Sequence, residues 1–126
     1  MREAHFVIPG RLPGLNELID AKSYKAKMRI KAAGKRQVQS AVFTARPVVK
    51  PFTEPVCVSI RCFEPNAKRD PDNVTGGANK IILDALQEIK VIANDNQKHI
   101  PRLKSELAGV DREKPRIEVD IWEVEA

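Results

Sequence analysis

The apolar residues of this chain change period four times between its ends, and that alternation narrows the possible folds more than any other feature. Val56, Val58 and Ile60 alternate with Cys57, Ser59 and Arg61, and Ile117, Val119 and Ile121 alternate with Glu118, Asp120 and Trp122. A period of two belongs to strands with one buried face. Val38, Ala41, Val42 and Ala45 instead recur at helical spacing, as do Ile81, Ile82, Ala85, Leu86 and Ile89, with Asp84, Gln87, Glu88 and Lys90 on the opposite side.

Turn residues divide these runs. An opening strand over 4–9 is closed by Pro9, Gly10, Pro13 and Gly14, and a loop carries Leu15 and Asn16. A helix is predicted over about 23–46, with Gly34 as a point of kinking or division. Pro47, Pro51 and Pro55 lead into a strand over 56–63. Asp72 or Asn73 suits the N-cap of the second helix, which runs to Lys90. A short extended piece, Val91 to Ala93, precedes strands near 98–108 and 115–124. The expected fold is α+β, with a mixed sheet of about four to five strands and two main helices.

At 126 residues the chain is expected to form a single domain over 1–126. A hydrophobic content of 42% and a charged content of 31% are those of a globular protein, which excludes the disordered and membrane classes. No apolar run is long enough to span a bilayer. Arg2, Glu3, Arg11, Glu17 and Asp20 interrupt the first twenty residues where a secretory signal would be apolar, so a cytoplasmic location is expected. Cys57 and Cys62 lie five apart in one strand and project from opposite faces, which predicts free thiols. With His5 and His99 isolated, no zinc set is present.

The net charge of +5 is unevenly placed. Residues 21–53 hold nine basic residues and no acid, whereas the other 93 positions carry 13 basic and 17 acidic residues, a net of −4. Lys25, Lys27, Arg29, Lys31, Lys35 and Arg36 are therefore candidates for holding a polyanion, joined by Lys68 and Arg69. A lysine-rich solvated helix face is the plainer reading of the same charges.

Beside this segment stands an acidic constellation, Arg69-Asp70-Pro71-Asp72-Asn73, answered by Asn94-Asp95-Asn96 beyond the second helix. In extended backbone Asp70 and Asp72 point the same way, and Asp95 is a third hard oxygen donor. Magnesium keeps several waters and needs only a few carboxylates, which leaves room for a substrate phosphate. Lys80, seven residues after Asn73, falls about two helical turns on and could neutralise charge on that phosphate. The alternative is structural, because aspartates and asparagines also turn the chain and favour helix starts. An EF-hand calcium loop is disfavoured by the lack of its glycine and bidentate glutamate at the required spacing.

The run Arg69-Asp70-Pro71-Asp72-Asn73, then Lys80, Leu83-Asp84-Ala85-Leu86 and Asn94-Asp95-Asn96-Gln97, resembles the signature of the RusA-type Holliday-junction resolvases. The opening strand, the loop with Pro13, Gly14 and Asn16, the length and the element order resemble that family too. The resemblance implies a RusA-like domain and a homodimer that nicks two strands of a four-way DNA junction with magnesium or manganese and no organic cofactor. It implies Asp70, Asp72 and Asp95 as metal-binding catalytic carboxylates and Lys80 as the essential lysine. Val74 to Asn79, with Gly76 and Gly77, separate Lys80 from Asn73 more widely than in the best-known members, and Asn94 stands where they often carry an aspartate. Two other functions fit the residues: a non-catalytic DNA-binding protein and a structure-selective nuclease of broader specificity.

Overall fold

In the computed structural model, which describes residues 2–124, four strands and three helices follow one another as β1 (Glu3–Pro9), α1 (Leu15–Ile19), α2 (Tyr24–Thr44), β2 (Val56–Glu64), α3 (Pro71–Glu88), β3 (Arg102–Val110) and β4 (Arg116–Glu123). The sheet order is β1-β4-β2-β3. β4 runs antiparallel to both β1 and β2, while β3 runs parallel to β2 after the crossover through α3. The α+β fold with a mixed sheet is therefore as expected.

The register explains the two faces. Ile8, Ile117, Cys62 and Leu107 form one row across the sheet, and Phe6, Val119, Ile60 and Ser105 the next. These rows face the helices, where Val38, Val42, Ile81, Ile82, Ala85 and Leu86 are buried against them. The other face bears no helix and is polar, with His5, Asp120, Ser59 and Lys104 in one row and Val7, Glu118, Arg61 and Glu106 in another. Cys57 and Cys62 lie on opposite faces, both buried and both free. No helix among the described residues is long and apolar enough to cross a membrane.

Four local expectations need correction. Leu15 and Asn16 belong to a short helix, α1, rather than to a loop. Gly34 does not divide α2, which runs unbroken from Tyr24 to Thr44; it is buried where α2 meets α3, and a Cβ there would stand 3.0 Å from Ile81 Cγ2. Val91 to Ala93 form no strand, because Val91 closes the C-terminus of α3 by donating to the Leu86 carbonyl. The second helix begins earlier than Asp72, with Asp70 at the N-cap and Pro71, its φ already preset for a helix, at the first position.

Candidate active site at the start of α3

The strand parity that buries Val56, Val58, Ile60 and Cys62 also carries Glu64 to the helix-facing side, where its carboxylate is only 4% exposed. A buried carboxylate must be neutralised and hydrogen-bonded. Arg69 does both, donating from Nε to Oε1 at 2.8 Å and from Nη2 to Oε2 at 2.9 Å, while Arg11 donates to Oε1 at 3.1 Å. Arg69 also donates from Nη1 to the Leu12 carbonyl at 2.9 Å. This fork ties the end of β2, the chain after β1 and the residue preceding Asp70 into one unit.

Arg69 was expected to face DNA, but its guanidinium is consumed by this internal brace, with its side chain 12% exposed. Glu64 was missed by the sequence reading. Its signal was a charged residue at the core-facing parity of an apolar strand.

Asp70 is exposed at the N-cap position and makes no capping hydrogen bond. Asp72 is exposed in the first turn, where Oδ1 accepts only from the neighbouring Asn73 amide at 3.0 Å. Both carboxylates thus retain oxygens facing solvent. The backbone is helical from Pro71, so the extended geometry that would align the two side chains does not hold. Asn73 instead points inward, its Oδ1 accepting from the Asn16 amide at 2.7 Å. Pro13 to Asn16 cross α3 at this point, so closely that a Cβ on Gly77 would lie 2.0 Å from the Pro13 carbonyl oxygen. The glycines between Asn73 and Lys80 therefore make a seat for that segment, with Gly76 against Leu15.

Lys80 and Asp95 share a cleft. Together with Leu15, Asn79, Leu83 and Asp84 they border a cleft of about 340 Å³ beside α1. Lys80 Nζ stands 3.8 Å from Asp84 Oδ2, one turn on. Asp84 is a second acid that the sequence reading left on the solvated face. Asn94 and Asn96 shape the turn beneath, Asn94 Oδ1 accepting from the Asn96 amide at 3.2 Å and Asn96 Oδ1 from the His99 amide at 3.1 Å. Asp95 is left exposed.

Asp72 and Lys80 are about 12 Å apart along the helix axis at 1.5 Å per residue. Among the described residues no three of His, Cys, Asp and Glu gather into a group able to hold a metal. The expected three-carboxylate set of Asp70, Asp72 and Asp95 is accordingly not assembled within the chain. Asp70 and Asp72, each with solvent-facing oxygens, remain candidate donors to a cation that keeps most of its waters and shares a phosphate.

The basic residues surround the first half of α2, which extends beyond the buried stretch that begins at Gly34. Lys25, Arg29 and Arg36 form one exposed stripe at helical spacing. Lys27, Lys31 and Lys35 form a second, half-buried one, and Lys35 bonds Glu88 at 2.7 Å, which holds the Glu88 carboxyl below its ordinary pKa. Lys68 is exposed two residues before Asp70. Cys62 offers no nucleophile here, because burial, reinforced by the charge of Glu64, pushes its pKa up to about 12.

Comparison with protein-family models and with curated proteins finds no match to this sequence.

Proposed function

We propose that this chain is a divalent-metal-dependent endodeoxyribonuclease that resolves four-way DNA junctions by paired nicking, acting as a homodimer in the cytoplasm. The observation that carries the reading is the pairing of two solvent-facing carboxylates, Asp70 and Asp72, with a rigid brace, Glu64 and Arg69, directly behind them. A buried ion pair of that kind is costly, and fixing the geometry of an adjacent site is a use that justifies it. The resemblance of the surrounding motif to the RusA-type resolvases supplies the junction substrate and the two-fold.

Magnesium or manganese held by Asp70 and Asp72 would polarise the scissile phosphate and lower the pKa of an attacking water. The remaining work falls to the chain. The cations of α2 and Lys68 hold flanking phosphates, and Lys80 presents a charge along the same helix, with Asp84 restraining its ammonium. Asp95 borders Lys80's cleft and acts on the strand that enters it.

The non-catalytic reading draws on the lack, among the described residues, of a group of three or more His, Cys, Asp or Glu able to hold a metal. Digestion of four-way junction, fork, duplex and single strand, with magnesium and with EDTA, separates the possibilities. Junction-selective nicking that needs magnesium is expected. Metal-independent binding without cleavage would support the DNA-binding protein, and equal cleavage of all four substrates a nuclease of broader specificity. Because bound phosphates release counterions, affinity should fall steeply between low and moderate salt.

A further inference from the structure

Large apolar side chains exposed singly are ordinary, but α1 and the first residue of α2 present a series: Leu15 is 36%, Ile19 66% and Tyr24 79% exposed. Tyr24 is the chain's only tyrosine. The corner that carries them is fixed. Asp20 ends α1, its amide donating to the Asn16 carbonyl at 2.8 Å, and Ser23 caps α2, its Oγ accepting from the Ala26 amide at 3.0 Å. Leu18 anchors α1 in the core, and the Asn16 amide donates to Asn73 Oδ1 beside Asp72. The corner is thereby tied to the candidate site.

Leu15 and Ile19 stand one turn apart on the same side of α1. Leu15 also borders the cleft of Lys80, together with Leu83. An apolar strip thus leads from that cleft along α1 to the corner. Cations flank it at both ends, Lys80 at the cleft and the exposed Lys22 and Lys25 on either side of Tyr24. Of the acids nearby, Glu17 is turned to the Gly14 amide and to Arg69, and Asp20 immediately precedes the acid-free segment.

This alternation of apolar and cationic groups matches an unpaired DNA strand. Every base has a face that packs on an aromatic or aliphatic side chain, and the phosphates between bases pair with lysines. Intact duplex keeps those faces inside its own stack and would meet the cations alone. We propose that Tyr24, Ile19 and Leu15 form a stacking track for unpaired nucleotides, which selects an opened or branched strand over duplex. Tyr24 takes one base face, Ile19 and Leu15 pack against the next, and Lys22, Lys25 and Lys80 hold the phosphates. The track rests on the proposed function for DNA as its partner, and it names the residues that distinguish one strand state from another.

The test is binding by fluorescence anisotropy in EDTA, where no strand is cut, to a four-way junction, an oligothymidine single strand and a duplex. Tyr24→Ala should weaken binding to junction and single strand about tenfold and to duplex by less than about twofold, whereas Tyr24→Phe, which keeps the ring, should match the wild type. Lys25→Ala should weaken all three alike and lower the salt dependence. An equal loss on duplex would overturn the proposal. So would wild-type affinity for the single strand in both Tyr24→Ala and the double variant Ile19→Ser/Tyr24→Ala, and junction nicking by these variants in magnesium would then leave the nuclease reading in place. A fall in mass of Tyr24→Ala by light scattering would also overturn it, because Tyr24 would then pack against a second copy. A wild-type chain that binds none of the three DNAs would overturn both the track and the proposed function.

Discussion

At the scale of single residues, Glu64 does most to shape the site although it never reaches solvent. Its bidentate bond to Arg69 holds the residue next to Asp70, and removing it would strand a half-buried guanidinium. Glu64→Ala should therefore destabilise the fold by about 3–5 kcal/mol, measured by urea unfolding, whereas exposed Lys68→Ala should change stability by less than about 0.5 kcal/mol. Cys62 supplies a second residue-scale prediction. Its folded pKa is raised from 9.0 to about 12, so the native state holds the thiol proton more tightly than the unfolded chain does. The stability this contributes is fully present below pH 9 and is lost as the pH rises from 9 through 12. Native Cys62 should resist thiol reagents at pH 8, and Cys62→Val should unfold less steeply with alkali than the wild type. Rapid labelling of Cys62 at pH 8 would contradict the burial described.

At the scale of elements, α3 is set by close contacts at one end and a strained cap at the other. Gly77 admits the Pro13 carbonyl where any Cβ would collide with backbone, so Gly77→Ala should cost about 1–3 kcal/mol or more. Gly109 has open space about it, and Gly109→Ala should be neutral or slightly stabilising by the same melting measurement. At the far end Lys90 has φ 63°, its amide donating to the Gln87 carbonyl while Val91 donates to that of Leu86. This paired closure is usually made by glycine. Lys90→Gly should accordingly stabilise the protein by about 1 kcal/mol, and a lower melting temperature would count against the cap.

The same elements account for what could be read in advance. β2, β4 and the second half of α2 were legible because their apolar periods reflect one buried face, as with Val58 and Ile60 or Val38 and Val42. The first half of α2 has no such stripe because none of its residues before Gly34 is fully buried. α1 was missed because its five residues bury only Leu18 and provide no period to count. The carboxylates at 70, 72 and 95 were legible as residue types, but their separation was not, since it depends on where Pro71 starts the helix. Arg69 read as a surface cation because its partner, Glu64, is identifiable only once the parity of β2 is known.

At the scale of the whole molecule, positive charge and braced carboxylates occupy distinct parts of one two-layer fold. The helical layer carries the basic stripes and Asp70 with Asp72, while the sheet contributes β2, whose last residue, Glu64, anchors their brace. In the proposed function Asp70 and Asp72 act on DNA rather than merely starting a helix. The most direct test is nicking of a synthetic four-way junction in magnesium by the wild type and by Asp72→Asn, each with junction binding measured in parallel. The account predicts paired nicks by the wild type, and for the variant a loss of cleavage of at least about a hundredfold, near 2.7 kcal/mol in the barrier, with binding retained. Cleavage by Asp72→Asn at the wild-type rate would contradict it.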